Sequence, residues 1–227
     1  MPHLARPPAH GFYLAERRGR LTLCRADAPR TQGLVIDFSA PAIHRRIVAG
    51  KRQPLARALG LHRRGGLRVL DATCGLGRDS AVLAGLGCRI TAIERHPALH
   101  ALLADALRRA HMQEPPGHDN WRALHCADAL AWLQERGQAA DHDVIYLDPM
   151  FDSSRRKARP QRALQWLAEL VGSDADAAAL LALARRRARQ RVVVKSHARA
   201  APLAPPDYQL AGRALRFDVY LSAAKDC

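Results

Sequence analysis

The stretch LRVLDATCGLGRDS, residues 67–80, contains an apolar run, an acidic residue and two closely spaced glycines. The run LRVLDA predicts a strand that ends at Asp71, and Gly75 and Gly77 predict the tight turn after it. The segment DSAVLAGLG then predicts a short helix, for which Asp79 is a candidate N-cap. A strand, a glycine turn and a helix in this order predict an α/β fold with a ligand site at the turn.

Short apolar runs alternate with helical patterns through most of the chain after this stretch. Strands are predicted at residues 88–94, 122–126, 143–148 and 191–195, and helices at 96–110, 127–136, 162–171 and 174–189. This alternation predicts a parallel sheet with helices on both faces. Residues 208–222 contain two extended runs without a crossover helix, so they predict an antiparallel hairpin at the sheet edge. The expected fold is α/β, with a mostly parallel seven-stranded sheet.

The first 62 residues predict a small β/α extension ahead of this sheet. FYLAERRGRLTLC at 12–24 predicts a hairpin, GLVIDFS at 33–39 a further strand, and residues 42–50 a partly helical segment. The motif HRRGG then interrupts the pattern and predicts a boundary. We therefore expect two units, with residues 1–62 as an extension on the substrate side and residues 63–227 as the main domain.

The composition predicts a folded protein that crosses no membrane. With 227 residues, of which 48% are hydrophobic, the chain is long and apolar enough to bury a full core. Its apolar runs stay below the roughly 18 residues of a membrane span, and its N-terminus lacks the apolar core of a secretory signal. We expect a soluble, cytoplasmic protein.

The cysteines and histidines indicate neither a metal site nor a disulfide framework. The five cysteines never fall in C-x-x-C spacing, and their number is odd. The eleven histidines are scattered and form no H-E-x-x-H motif. We expect reduced, mostly buried cysteines and no bound metal.

The net charge of +15 predicts a polyanionic partner such as RNA. The 36 Lys and Arg residues are almost all Arg, whose planar fork binds phosphate at two points and stacks on bases. A GC-rich genome would explain the preference for Arg over Lys. It would not explain a net charge so far from zero.

The glycine turn favours S-adenosylmethionine over a dinucleotide as the ligand. Ser80 replaces the third glycine of the G-x-G-x-x-G fingerprint, and Asp71 lies four positions before Gly75. A carboxylate there suits an ammonium group better than a pyrophosphate, and S-adenosylmethionine has an ammonium and no phosphate. Glu94 is placed to bind the ribose diol, and Asp128 to contact the adenine. A purely structural loop, with Asp128 as a plain N-cap, is the alternative.

The stretch DPMF at 148–151 predicts a second site at the same edge of the sheet. It follows a strand, and ligands of parallel sheets bind at the carboxyl ends of the strands. Asp148, or a backbone carbonyl beside Pro149, can hold the hydrogens of an exocyclic amine, and Phe151 can stack on its base. Alternatively, Asp148 caps a turn and Phe151 belongs to the core.

A cationic block, SSRRKARPQR, follows this stretch directly. Its position beside Asp148 predicts contacts with RNA phosphates, although a solvated surface is the usual role of a charge run. The candidate cations are Arg155, Arg156, Lys157, Arg159 and Arg162. The segment ARRRARQR at 184–191 is a weaker candidate, because cations are favoured at a helix C-terminus in any case.

Taken together, these motifs resemble a known family. Amino-directed methyltransferases carry [DNS]-P-P-[FYW] at the second site, whereas Met150 replaces the second proline here. With LDATCGLGRDS, GCRITAIERHP, RVVVK, RFDVYL, VIDF and HRR, the chain looks like the ribosomal RNA small subunit methyltransferase J family from Gly33 to Leu221. The resemblance implies a class I (Rossmann-like) fold. It also implies transfer of a methyl group from S-adenosylmethionine to N2 of a guanosine near the 3′ end of 16S rRNA.

The resemblance also assigns individual residues. The implied donor contacts are Arg78, Asp79, Glu94, Arg95, Ala127, Asp128 and Asp148. The implied RNA contacts include His44, Arg45, Arg46 and Lys195, and the implied partner is 16S rRNA or the small ribosomal subunit. The chain departs from the family before Gly33, where it is shorter, and after the fifth strand, where it reads VKSHARAAPLAPP.

Three other functions are compatible with parts of this pattern. The same chemistry could act on adenine N6 in RNA or DNA. The chain could also be an RNA-binding module that has kept the fold without catalysis. A dehydrogenase would leave LDPMF without a role.

Overall fold

The computed structural model describes residues 10–29, 32–135, 141–149, 166, 169–170, 176–212 and 214–222. The strands of this part of the chain are β1 (Phe12–Arg17), β2 (Arg20–Arg25), β3 (Arg68–Asp71), β4 (Arg89–Glu94), β5 (Trp121–Cys126), β6 (Val144–Leu147), β7 (Arg191–His197), β8 (Tyr208–Ala211) and β9 (Leu215–Leu221). The α-helices are α1 (Pro41–Val48), α2 (Pro54–Leu59), α3 (Arg78–Gly85), α4 (Pro97–Gln113), α5 (Ala129–Glu135) and α6 (Ala177–Arg187). Short 3₁₀ turns occupy Gly50–Arg52 and His118–Asn120.

The central sheet has the strand order β5-β4-β3-β6-β7-β9-β8. The pairs β3–β4, β3–β6, β4–β5 and β6–β7 are parallel, while β9 pairs antiparallel with both β7 and β8. This confirms the expected seven-stranded α/β sheet with its C-terminal hairpin. The carboxyl ends of β3, β4, β5, β6 and β7 therefore meet along one edge of the sheet.

Two apolar cores cover the faces of the sheet. Successive residues of a strand point to opposite faces, so Val69 belongs to one core and its neighbour Leu70 to the other. Helices α2, α3 and α4 supply the first core, while α5 and α6 supply the second. Val69 and Leu70 are both fully buried, as the continuous apolar strand sequences predict.

The N-terminal hairpin is confirmed, but the strand predicted at 33–39 is wrong. Strands β1 and β2 form a separate two-stranded antiparallel sheet, whereas residues 33–39 make only an isolated bridge between Leu34 and Leu23. The alternating apolar side chains of this segment are buried in the first core without a ladder, and the Phe38 ring stacks on Trp121 of β5. Arg109 of α4 donates a hydrogen bond to the Ile36 carbonyl, so a side chain satisfies a backbone group that a strand partner would otherwise bond.

The N-terminal residues share a core with the main sheet. Leu23, Ile36 and Leu59 lie in the same buried cluster as Val69 and Leu103. The described part of the predicted extension therefore packs directly on the first face of the sheet. The boundary at residue 62 stays a prediction. Among the described helices, none combines the length and apolarity that a membrane span requires.

Candidate active site

Glu94 braces the glycine turn from the end of β4. Its Oε2 accepts a hydrogen bond from the Gly75 N–H at 2.8 Å, and its Oε1 accepts one from the His96 N–H at 2.8 Å. The residue is buried. These two bonds fix the orientation of the carboxylate at the carboxyl edge of the sheet, where the sequence predicts contact with a ribose.

Asp71 lies behind the turn. Its carboxylate accepts hydrogen bonds from the Ser80 hydroxyl at 2.5 Å and from the Thr73 N–H at 3.3 Å, and the residue is 1% exposed. Burial raises the pKa of Asp71 to about 7, although the Ser80 hydrogen bond opposes that shift. The predicted contact with the donor ammonium stays a prediction. The burial favours a role in holding the turn instead.

Replacing Asp71 with asparagine should flatten the pH dependence of stability between about pH 4 and pH 7. The folded-state pKa of Asp71 lies above the ordinary value, so the contribution of Asp71 to stability is complete below about pH 4 and is lost as pH rises toward 7. We expect the difference in unfolding free energy between variant and wild type to change by up to about 1.4 kcal/mol per pH unit in this window. Urea denaturation at a series of pH values measures it. Asp141→Asn, at an exposed carboxylate, is the control, and parallel profiles for wild type and Asp71→Asn would contradict the assignment.

The predicted role of Asp79 as an N-cap is wrong. Helix α3 begins at Arg78 with Gly77 at the N-cap, and no side chain caps it. Gly77 has φ 65°, in the left-handed region that favours glycine. Asp79, in the first turn of α3, directs its carboxylate to other elements instead.

Gly77 and Gly75 should differ in their tolerance of alanine. A Cβ atom at Gly77 would lie 2.8 Å from Leu103 Cδ2 and 3.1 Å from a Phe38 ring atom, whereas one at Gly75 would meet nothing closer than the Thr73 carbonyl at 4.0 Å. Both have positive φ, which costs a non-glycine residue about 1–2 kcal/mol. We expect Gly77→Ala to lower the unfolding free energy by about 2–4 kcal/mol, because overpacking adds to this strain, and Gly75→Ala by about 1–2 kcal/mol. Chemical denaturation tests this, and equal losses would contradict it.

Asp79 joins three elements through its carboxylate. Oδ2 accepts hydrogen bonds from the Tyr146 hydroxyl of β6 at 2.6 Å and from Lys195 Nζ of β7 at 2.9 Å, and Oδ1 pairs with Arg46 Nη2 of α1 at 2.7 Å. Burial alone would raise the pKa of Asp79, but the charges of Lys195 and Arg46 outweigh it and hold that pKa at about 2. Asp79 is therefore ionised throughout the physiological range.

Lys195 bridges Asp79 and Asp148. Its Nζ lies 2.7 Å from Asp148 Oδ2, and the Asp148 N–H donates a hydrogen bond to Thr73 Oγ1 at 2.6 Å. The side chains of Asp79, Lys195 and Asp148 are 10%, 19% and 39% exposed, so accessibility increases from the first to the last. Burial lowers the pKa of Lys195, but the two carboxylates outweigh it and raise the pKa above its ordinary value. The charged lysine thus holds a half-exposed Asp148 at the end of β6.

The remaining donor candidates lie around the same edge. Asp128 Oδ1 accepts a hydrogen bond from the Ala131 N–H at 2.9 Å, as an N-cap of α5 does, and the residue is exposed. The Ala127 N–H donates to the Glu94 carbonyl at 3.2 Å, which joins the ends of β4 and β5. Arg95 lies 3.8 Å from Asp176, and Arg78 is exposed.

Several predicted RNA contacts differ in their surroundings. His44 and Arg45 are exposed on α1, whereas Arg46 and Lys195 belong to the carboxylate network. Pro149 is buried after β6. Some predictions concern residues outside the described part of the chain, namely Met150, Phe151, Arg155, Arg156, Lys157, Arg159 and Arg162. No group of three metal-ligating side chains occurs within the described part of the chain.

Sequence reasoning missed three contributors to the site. The sequence pattern predicts Tyr146 only as part of an apolar strand. It shows Ser80 only as the replacement of a glycine, and it assigns no role to Thr73. The signal for Tyr146 was a hydroxyl within an otherwise apolar buried run, since such a group needs a hydrogen-bond partner. Here that partner is Asp79.

The proteins to which this chain is similar in sequence and structure are methyltransferases. A family model described as a putative SAM-dependent methyltransferase matches residues 2–222. Proteins named ribosomal RNA small subunit methyltransferase J are similar to the chain. The protein from Alkalilimnicola ehrlichii is 44% identical, over 100% of this chain and 89% of the relative, and the one from Laribacter hongkongensis is 43% identical, over 96% and 78%. A solved SAM-dependent methyltransferase from Neisseria gonorrhoeae has 30% identity and a TM-score of 0.72, and the match covers 98% of this chain and 88% of that one.

Proposed function

This chain belongs to the ribosomal RNA small subunit methyltransferase J family, and we propose on that ground that it methylates the exocyclic N2 amine of a guanosine in 16S rRNA, with S-adenosyl-L-methionine as donor. The observation that carries the proposal is the placement of Asp148. Its carboxylate is half-exposed and tied to Lys195, and its backbone is tied to Thr73 beside the glycine turn. A hydrogen-bond acceptor for the substrate amine and the glycine turn for the methyl donor therefore lie at the same edge of the sheet.

The residues at the turn fit the donor. The side of Gly75 where a Cβ would stand is open, and the Glu94 carboxylate and Asp128 lie at the ends of the two adjacent strands. S-adenosylmethionine would supply an electrophilic methyl group on its sulfonium. We assign its binding to Gly75, Arg78, Glu94, Arg95, Ala127 and Asp128. Asp71, Gly77 and Asp79 support that surface, because the two buried carboxylates are occupied by contacts within the protein.

Asp148 orients the amine of the substrate. An exocyclic amine is a weak nucleophile because its lone pair is delocalised into the ring, so alignment with the methyl group limits the reaction. An ionised carboxylate has about four acceptor positions, and the Asp148 side chain is 39% exposed, so the amino hydrogens can reach it from solvent. Lys195 and the Thr73 contact restrain the carboxylate, so that the amine meets an acceptor whose position is already fixed.

The substrate contacts proposed for residues 149–159 rest on the sequence. We assign base stacking to Phe151 and a rigid turn to Pro149. Phosphate contacts are assigned to Arg155, Arg156, Lys157 and Arg159, and to His44 and Arg45 on α1. The predicted extension, residues 1–62, faces the RNA in this proposal, and the reaction takes place in the cytoplasm on 16S rRNA or on the small subunit.

Labelled methyl transfer to small subunits that lack the modification tests this function. We expect one labelled site in 16S rRNA, and N2-methylguanosine when the digested RNA is analysed by mass spectrometry. Methyladenosine as the product would overturn the guanine assignment. No donor binding in calorimetry would instead support an RNA-binding module without catalysis.

A further inference from the structure

Residues 38–70 form a basic segment without a single acidic residue. The eight Lys and Arg residues of the segment are Arg45, Arg46, Lys51, Arg52, Arg57, Arg63, Arg64 and Arg68. They account for more than half of the net charge of +15. The segment comprises α1, a 3₁₀ turn, α2, the loop before β3 and the first three residues of β3.

The segment leads from the carboxyl edge of the sheet to the opposite edge. Arg46 contacts Asp79 at the candidate active site, whereas Arg68 is the first residue of β3, whose last residue is Asp71. Parallel strands share one direction, so their first residues lie at the edge remote from the site. Along β7, the four steps from Arg191 to Lys195 separate the two edges by about 13 Å of backbone.

Several elements that carry cations lie side by side at this remote edge. Lys51 Nζ lies 3.4 Å from the position of a Cβ on Gly65, and the N–H groups of Arg63 and Arg64 donate to the Gly60 carbonyl at 3.0 and 3.3 Å. Arg89 begins β4 and pairs in register with Arg68 of β3. We call Lys51, Arg52, Arg63, Arg64 and Arg89 the distal basic surface.

The charge of this surface is not balanced by carboxylates. All five of its side chains are exposed, and among the described residues no ion pair is recorded for any of them. Asp143, the nearby buried acid, is already engaged by the Arg68 N–H at 2.9 Å. Elsewhere, Arg20, Arg25 and Arg108 each pair with a carboxylate. Uncompensated like charges repel one another, and an anionic partner relieves that repulsion.

We propose that the distal basic surface binds the phosphate backbone of an RNA segment other than the one that carries the target base. The inference rests on the proposed function, because it takes RNA as the substrate. Arginine and lysine bind phosphates without reading sequence, and the sheet separates this surface from Asp148. The enzyme therefore contacts its substrate at two places, and a folded RNA or assembled subunit satisfies both, whereas a short fragment around the target satisfies one.

Two triple variants of equal charge test the surface. Arg52→Gln, Arg63→Gln and Arg64→Gln together remove three of its cations. Arg18→Gln, Arg108→Gln and Arg199→Gln remove three exposed cations from the hairpin turn, α4 and the turn after β7. Binding to purified small subunits, to 16S rRNA and to a short RNA fragment containing the target is measured at several salt concentrations. Calorimetric titration with S-adenosylmethionine checks that both variants are folded.

We expect the first variant to bind subunits and 16S rRNA about tenfold or more weakly and the short fragment as wild type does. For this variant, the negative slope of log affinity against log salt concentration should be shallower than that of wild type by roughly 2–3. Each lost phosphate contact contributes about 0.7–0.9 to the slope. The control variant should lose less than about threefold. Equal losses in both variants, or none in either, would overturn the proposal. Loss with subunits but not with 16S rRNA would also overturn it, by indicating an acidic protein as the partner. Binding is scored without methylation, so a wild type that methylates no RNA would refute the proposed function separately.

Discussion

Asp148→Ala is expected to reduce methyl transfer by at least about 10²–10³-fold while leaving donor binding largely intact. The substitution removes the half-exposed carboxylate that Lys195 positions at 2.7 Å, and with it the acceptor for the amino hydrogens. The groups assigned to the donor belong to β3, β4, β5 and their following turns, and they keep their contacts. Single-turnover rates with small subunits measure the loss, and calorimetry with S-adenosylmethionine measures donor affinity.

Two variants make this prediction specific. Asp148→Asn keeps an acceptor oxygen but loses the charge that pairs with Lys195, so we expect a rate between those of wild type and Asp148→Ala. Asp141→Ala removes an exposed carboxylate ahead of the same strand and should leave the rate unchanged. Equal loss of rate and donor affinity in Asp148→Ala would show that Asp148 serves the donor and not the base.

The strand pattern could be predicted where burial and pairing coincide. VIYL and RVVVK are buried on both faces, and such runs have few alternatives to a central parallel strand. Residues 33–39 show the limit of predicting strands from alternating apolar residues. Leu34, Ile36 and Phe38 are buried in alternation, but outside a strand ladder. The Phe38 ring stacks on Trp121, and the Ile36 carbonyl accepts a hydrogen bond from Arg109. Alternation reports which side chains are buried, and it does not report what covers them.

Most of the candidate site could be predicted from the rule that ligands of a parallel sheet bind at the carboxyl ends of its strands. Asp71, Glu94 and Asp148 all follow from it, because each ends or directly follows a strand of one parallel sheet. The partnership of Lys195 could not be predicted, since it depends on the alignment of β7 with β6, in which Leu147 pairs with Val194. A lysine after an apolar strand can equally extend to solvent or to a phosphate. Only the register brings its ammonium between two carboxylates.

Charge balance explains why so many acids tolerate one another here. Burial and the charges of Asp79 and Asp148 increase the cost of ionising Asp71, whereas Lys195 and Arg46 supply cations to Asp79. Asp71, which pairs with neither cation, has its pKa raised to about 7, whereas Asp79, which pairs with both, has its pKa lowered to about 2. The cluster therefore contains one carboxylate that is readily protonated, Asp71, and one that stays charged, Asp79. Lys195 is the contact that extends this balance to Asp148.

Lys195→Met is accordingly expected to lower kcat by about 10²-fold, with a much smaller change in the KM for RNA. We assign Lys195 as a positioning residue, and without it Asp148 loses the contact that orients its carboxylate. Asp79 keeps Arg46 and Asp148 is half-exposed, so the unfolding free energy should fall by about 1–3 kcal/mol rather than the 3–5 typical of a fully buried pair. Steady-state kinetics on small subunits and urea denaturation measure the two effects.

The pH dependence of stability supplies an independent measurement on the same variant. Asp79 has a folded pKa of about 2, below its ordinary value, so its contribution is present above about pH 4 and is lost as pH falls toward 2. Removal of Lys195 weakens that contribution and should shift acid unfolding to higher pH. Lys195→Arg keeps the charge and should recover part of kcat, and Arg122→Met, at an exposed arginine of β5, should leave kcat unchanged. If Lys195→Met instead raises the KM for RNA at an unaltered kcat, Lys195 contacts the RNA directly, and the bridge to Asp148 is not what orients the amine.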